Sequence, residues 1–174
     1  MFTIKSINTH AFSNRNENIA IDFQGINVKT TAVVAAITSE HGLLYYECFD
    51  RSVNIEKFQS FIDHLRNRLG RRQAVIFMDN LTVHRAKKTL EHLETRRFRA
   101  LFNAAYSPDY MPIESVFSIV KRKFKQLKTN AVLNRQSVKT VDLIRQSFDA
   151  VEKHAVLNFI AHCLNKFEAL KKRN

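Results

Sequence analysis

This chain is poor in residues that break regular structure. Of its 174 residues only three are glycine and two are proline, which excludes a loop-rich or disordered protein. Both prolines, Pro108 and Pro112, fall in one short stretch, so that stretch is the most rigidly specified turn in the molecule. Cysteine is as scarce. Cys48 and Cys163 lie in apolar segments with no Cys-x-x-Cys spacing, and they read as buried thiols of an intracellular protein. No secretory signal is visible and no apolar run approaches about 18 residues, so no membrane span is expected. No internal repeat or low-complexity segment occurs.

Acidic residues are also few. Sixteen Asp and Glu face 28 Lys and Arg, a net charge of +12. That imbalance speaks of partners rather than fold, and a phosphate polymer, bound in a salt-sensitive way, is the natural counterpart. What the chain does have is apolar residues: 45% of the sequence, with 14 Phe, enough for a sizeable core. The length suits one domain, or one domain with a helical annex.

Hydrophobic periodicity organises the chain. Segments 2–8 and 18–23 alternate apolar and polar residues, as half-buried strands do. Segment 31–38 is rich in β-formers. Glu40-His-Gly42 is a turn and 43–49 the next strand, together suggesting an antiparallel meander. Val53, Phe58, Phe61, Ile62, Leu65 and Leu69 share a helix face that Gly70 ends. A buried strand 74–78, a helix 83–95 carrying Leu90 and Leu93 inward, and a strand 98–103 follow. Ile113, Val116, Phe117, Val120, Phe124 and Leu127 mark a third helix. Beyond Lys128, stripes through 138–151 and 156–170 predict two helices that pack back on the sheet or pair in a homodimer.

The stretch from Ala74 to Glu114 carries the chemistry. Asp79 stands where an apolar strand ends, and Glu114 stands in the first turn of a helix behind Pro112. Thirty-four residues separate them. Strand ends facing helix starts form the usual crevice of α/β sheets. Two carboxylates with an open, wet face suit Mg²⁺, and two such ions clamp a phosphoryl displacement.

The motifs Val75-Ile-Phe-Met-Asp-Asn80, His84, Tyr106-Ser-Pro-Asp109 and Pro112-Ile-Glu114 resemble the catalytic domain of the Tc1/mariner (IS630-like) DDE transposases. The resemblance covers residues 28–128 well and the ends poorly. It implies an α/β, ribonuclease-H-like fold: a mixed five-stranded sheet, antiparallel meander then parallel strands, flanked by helices, with C-terminal helices. Residues 1–130 would form the catalytic domain and 131–174 a helical extension of it. The implied activity is Mg²⁺- or Mn²⁺-dependent cleavage and strand transfer of DNA, at transposon ends and target. It would take place in a eukaryotic nucleus, or otherwise in the cytoplasm or nucleoid. Family members carry helix-turn-helix modules ahead of this domain, and none is expected in this chain.

DDE enzymes use three acids, the first on the opening strand. Here Ile7-Asn8-Thr9-His10 resembles that motif with Asn8 in place of Asp. Asn8, Asp79 and Glu114 are therefore the expected catalytic and metal-binding set. Asn keeps the shape of Asp without its charge, so metal binding and cleavage would weaken. Asn8 reads as an engineered or decayed position; otherwise the register differs and Asp22 or Asp50 serves. The alternative function is a catalytically inactive, transposase-derived DNA-binding or assembly module. Another ribonuclease-H-like nuclease fits the fold but not the Ser-Pro-Asp-x-x-Pro-Ile-Glu run.

Supporting roles follow the same stretch. Asn80 belongs to the motif, and His84 would orient a phosphate or water near the cleft. Ser107 and Asp109 would brace the loop and cap the helix that Pro112 opens. Arg85, Lys87 and Lys88, then Lys121, Arg122 and Lys125, with Lys123, Lys128, Arg96, Arg97 and Arg99, would bracket the cleft and hold the DNA backbone.

Overall fold

The computed structural model describes residues 2–4, 31–105 and 107–171. The opening segment beyond Ile4, including Asn8, Asp22 and the expected strand 18–23, lies outside the described residues, as does Tyr106.

Three strands form an antiparallel sheet in the order β1 (Phe2–Ile4), β2 (Thr31–Thr38), β3 (Gly42–Asp50). Two more, β4 (Ala74–Met78) and β5 (Phe98–Phe102), pair in parallel, with Met78 opposite Phe102. One continuous five-stranded sheet is therefore not formed by the described strands. β1 reaches only along Thr31 to Val33 of β2, and no described strand joins it to β4.

β2 lies between two cores and is buried on both faces. Ala32 and Val34 join one core, with Phe58, Phe61, Ile62 and Leu65 of α1 (Ile55–Leu69) and Leu93. Val33 joins the other, with Val116, Phe117, Val120 and Phe124 of α4 (Pro112–Leu133). A strand covered on both sides has no polar face, which is why this segment reads as an unbroken apolar run. β3 breaks the strict alternation. Ala36 pairs with Tyr45 but Ile37 with Leu43, so Leu44 is one extra residue. That bulge sends both Leu44 and Tyr45 toward α1.

α1 begins at Asn54, whose side-chain oxygen accepts a hydrogen bond from the Lys57 amide at 3.0 Å. Removing that cap would cost about 1 kcal/mol. The four apolar residues it buries contribute about 2 kcal/mol each relative to exposure. Gly70, at φ 65°, ends the helix in a conformation that side chains resist. Arg66 then ties the exit together. Its guanidinium donates to the carbonyls of Gly70, Arg72 and Arg97 and stacks 3.7 Å over the Phe98 ring.

The helix expected over 83–95 is two helices, α2 (Thr82–Arg85) and α3 (Lys87–Thr95), broken at Ala86 with ψ 136°. Buried Thr89 accounts for the break. Its hydroxyl donates to the Val83 carbonyl at 2.7 Å, satisfying a group that a continuous helix would have bonded to an amide.

α4 runs to Leu133, past the expected end. α5 (Thr140–Asp149) and α6 (Lys153–Lys171) pack back on it: Leu143, Ile144, Phe148 and Val156 sit in the core of Val33 and Phe117. At the β2–β3 turn a side chain on Gly42 would meet Lys153 of α6 at 3.1 Å, so α6 approaches as closely as glycine permits. Among the described residues no helix is long and apolar enough to cross a membrane. Cys48 is half-buried and Cys163 buried, and both are free thiols.

Candidate active site

Parallel β4 and β5 end on the same side of the molecule, and a cleft of about 370 Å³ opens there between β4 and β2. Its described lining includes the apolar side chains of α1 and β2, then Asp79, His84, Met111, Pro112 and Glu114. The two acids expected to converge therefore face one cavity. Asp79 reaches it because β4 stops at Met78. Glu114 reaches it because α4 starts at Pro112, which loses no helical bond from its missing N–H.

Asp79 is half-buried and held from two sides. The Leu81 amide donates to Oδ1 at 3.3 Å, and His84 Nδ1 lies 2.6 Å from the same atom. An ionised carboxylate only accepts, so His84 Nδ1 carries the proton of that bond. Burial alone would raise the Asp79 carboxyl. The His84 hydrogen bond and charge override it and hold Asp79 below the usual carboxylate range. His84 is itself buried, with its ring 4.5 Å from Phe58. His84, expected to orient a phosphate or water near the cleft, does line the cleft, and within this structure the group it orients is the Asp79 carboxylate.

A second set of bonds fixes the ends of β4 and β5. The Asn80 amide group donates to the Asn103 carbonyl at 2.6 Å, and the Asn103 backbone N–H to Met78 at 2.8 Å. The buried Asn103 side chain donates to the Ser107 carbonyl at 2.6 Å and accepts from the Ala104 amide. Asn103 was not expected as a site residue. Its signal was a lone amide closing an apolar strand.

The loop departs from expectation at the helix cap. Residues Pro108–Tyr110 form a 3₁₀ turn, so extended Met111 becomes the residue before α4, with no side-chain cap. Asp109 is locked inside that turn, where its carbonyl faces Cys163 Sγ at 3.7 Å, and Ser107 braces the loop through Asn103. Neither caps α4.

The basic residues divide by position. Arg85, Lys87 and Lys88 follow Asp79 on α2 and α3 and are exposed; Arg85 also reaches Asn80 Oδ1 at 3.3 Å. Lys121, Arg122 and Lys125 are exposed on α4, roughly 10–16 Å along the axis from Glu114. Arg96 and Arg97 lie at the opposite, N-terminal end of β5, a strand length of about 15 Å from the end that carries Asp79. Arg96 is engaged there by Asp63 at 2.6 Å. They do not bracket the acids, since residues before a parallel strand lie at the end opposite its carboxyl terminus.

The donor set suits a hard divalent cation: two carboxylates lining one open cleft, one kept ionised by its surroundings. Among the described residues no group of three His, Cys, Asp or Glu side chains assembles as a metal site.

Layered helices on a mixed set of strands, with acids at a strand end and a helix start, fit the ribonuclease-H-like fold, which the solved structures below share. Residues 1–138 match the family model of the DDE superfamily endonucleases, and this chain belongs to that family. It is 34% identical over 84 residues to the Mariner Mos1 transposase of Drosophila mauritiana, which is 42% of this chain and 24% of that protein. The chain thus spans about a quarter of the length of this relative. Among solved structures, the catalytic domain of Mos1 mariner transposase aligns with a TM-score of 0.60 and 20% identity, covering 82% of this chain and 73% of the other. The Mos1 paired-end complex with Mn aligns at 0.65 and 20%, covering 95% and 51%. A Mos1 catalytic domain solved with raltegravir and Mg aligns at 0.59 and 22%, covering 82% and 74%.

Proposed function

We propose that this chain is the catalytic domain of a Tc1/mariner-like transposase, cutting and joining DNA with Mg²⁺ or Mn²⁺. The observation that carries the reading is that Asp79 and Glu114, far apart in sequence, line one cleft. Metal-bearing Mos1 structures of the same fold support the choice of cation.

Bound cations would act as Lewis acids on the phosphodiester and lower the pKa of a bound water. The chain's own residues supply the rest. His84 fixes the Asp79 carboxylate through Oδ1 and leaves Oδ2 for the cleft. Glu114 offers a second carboxylate from the first turn of α4. The cationic side chains of α3 and α4 hold the DNA backbone on either side. The net reaction is hydrolysis of a phosphodiester, giving a 3′-hydroxyl and a 5′-phosphate, followed by attack of that hydroxyl on a second phosphodiester. In this scheme Asn8 takes the third position, where an amide oxygen lacks the charge of a carboxylate.

A nicking assay on supercoiled plasmid with Mn²⁺ or Mg²⁺ tests the reading. Asp79→Asn and Glu114→Gln abolish nicking, and Asn8→Asp raises it. Nicking that survives in both acid variants overturns the assignment. Salt-sensitive DNA binding that ignores chelator, with no nicking even in Asn8→Asp, identifies the inactive module instead.

A further inference from the structure

Among the described residues the outer edge of β3 has no strand beside it. This edge is guarded, among those residues, only lightly, by the bulge at Leu44. β3 has nine residues, GLLYYECFD, with no proline and one charge, Glu47, in its central span. Glu47 is already engaged: Oε2 accepts from the Tyr45 hydroxyl at 3.0 Å and lies 3.2 Å from His64 Nδ1. Exposed edges of this length and polarity template pairing with other chains, and proteins normally blunt them.

The edge also lies at the floor of a trough of about 520 Å³, lined by residues 43–48, by Arg68 of α1 and by Val141 and Arg145 of α5. The two walls are distinct. Tyr45 and Glu47 face α1, where the Arg68 guanidinium lies 4.5 Å over the Tyr45 ring. Tyr46 faces α5 and stacks on Phe148 at 4.0 Å. Each wall thus offers an aromatic surface and one exposed arginine, Arg145 lying 3.7 Å from Asp142.

We infer that the open edge of β3 is a docking site for an extended, acidic segment of a partner protein, which adds as a strand between Arg68 and Arg145. Three observations select this occupant. A strand edge presents alternating N–H and C=O groups, which a peptide backbone satisfies and a phosphate chain, which only accepts, does not. A second copy of this chain would bring its own Arg68 and Arg145 against these, within a protein of net charge +12. An added strand sends successive side chains to opposite faces, so two adjacent acids meet the two arginines at once.

The test uses the full chain and a labelled synthetic peptide, Thr-Val-Glu-Glu-Val-Thr-Val, followed by fluorescence anisotropy and backbone hydrogen exchange. The peptide binds and slows exchange within residues 43–48. Methylating alternate peptide nitrogens, which keeps the charge and removes strand pairing, weakens binding about tenfold or more. The exposed double change Arg68→Glu and Arg145→Glu does the same, with thermal unfolding showing that this variant stays folded. Equal binding of the methylated peptide would reduce the effect to charge attraction and overturn the proposal. So would protection of residues 43–48 before peptide is added, which means the chain covers its own edge. A concentration-dependent dimer that the peptide fails to dissociate assigns the edge to a second copy instead.

Discussion

His84 Nδ1 lies 2.6 Å from Asp79 Oδ1, with the imidazole buried against Phe58 and the carboxylate opening into the cleft. The contact links a short helix to a strand end and fixes one oxygen of an acid while freeing the other. Groups that hold a metal-binding carboxylate in this way are worth about 10–100-fold in metal affinity or activity. His84→Ala is expected to weaken Mn²⁺ binding and nicking in that range, while costing about 1–3 kcal/mol of stability from the lost charge-assisted bond. Calorimetric Mn²⁺ titration and urea unfolding separate the two effects. Full Mn²⁺ affinity in a folded His84→Ala protein would remove His84 from the site.

Among the described residues two carboxylates, Asp79 and Asp63, are held below the ordinary range by their partners, and they shape the response to acid. For Asp79 burial opposes the shift and the His84 bond produces it; for Asp63 burial again opposes, and the bonds from Arg96 and His92 produce it. A depressed folded-state pKa gives stability that is complete above the unfolded value, about 3.9, and lost as pH falls through the lower folded value. Urea midpoints are therefore expected to be flat from about pH 7 to 5 and to drop below about pH 4. Asp63→Asn flattens part of that drop, and it starts from lower stability at pH 7 because Arg96 and His92 lose their shared acceptor. An unchanged acid limb in Asp63→Asn would contradict the assignment.

Arg66 joins three backbone carbonyls from the end of α1 and the approaches to β4 and β5, and its plane covers Phe98. Only a planar, forked cation does all of this. Arg66→Ala is expected to cost about 2–3 kcal/mol, and Arg66→Lys to recover less than half, in urea unfolding at neutral pH. Recovery by lysine would mean that charge alone, not the fork, is what this corner needs.

Much of this architecture was legible in the residues because burial writes a period. The α1 and α4 stripes, the two-sided apolar run of β2 and Gly70 as a helix stop all survive in three dimensions. Asp79 and Glu114 were legible because a strand end and a proline-led helix start each specify where a side chain points. What was not legible depends on single side-chain bonds and strand pairings that leave no periodic trace. The break at Ala86 carries no glycine or proline and follows from a buried Thr89 hydroxyl seeking the Val83 carbonyl. The extra residue Leu44 exists only relative to β2. The 3₁₀ turn that takes Asp109 away from the α4 cap closes through backbone bonds to the Ser107 and Pro108 carbonyls. The far-end position of Arg96 was available from its place before a parallel strand.

The family match ends at residue 138, yet the core does not. Ile144, Phe148 and Val156 lie at most 1% exposed against Val33, Val116 and Phe117. Removing α5 and α6 would strip three large apolar side chains, each worth about 2 kcal/mol, from a domain whose total stability is about 5–15 kcal/mol. A chain ending at residue 138 is expected to lose its cooperative thermal transition. Ile144→Ala in the full chain should lower stability by about 2–5 kcal/mol. A truncated chain that melts cooperatively near the full-length temperature would show that the helices are an annex.

The basic residues near the two acids and those far from them make opposite forecasts for DNA binding. Lys87, Lys88, Lys121 and Lys125 lie on elements that leave the Asp79 and Glu114 corners. Arg99 is exposed on β5, one residue in from the strand's N-terminal end and opposite Val75, away from the acids. Each phosphate contact removed lowers the slope of log affinity against log salt by about one, uniformly across sequences. Lys121→Glu and Lys125→Glu together should therefore reduce the salt slope by about two and weaken binding to any duplex, as should the pair on α3. Arg99→Glu should leave the slope within about half a unit of the parent, although it changes the net charge by the same amount per residue. Binding measured by anisotropy across a salt series distinguishes the cases. Equal losses from Arg99 and Lys121 would mean that DNA responds to the overall charge of the domain rather than to a track beside the two acids.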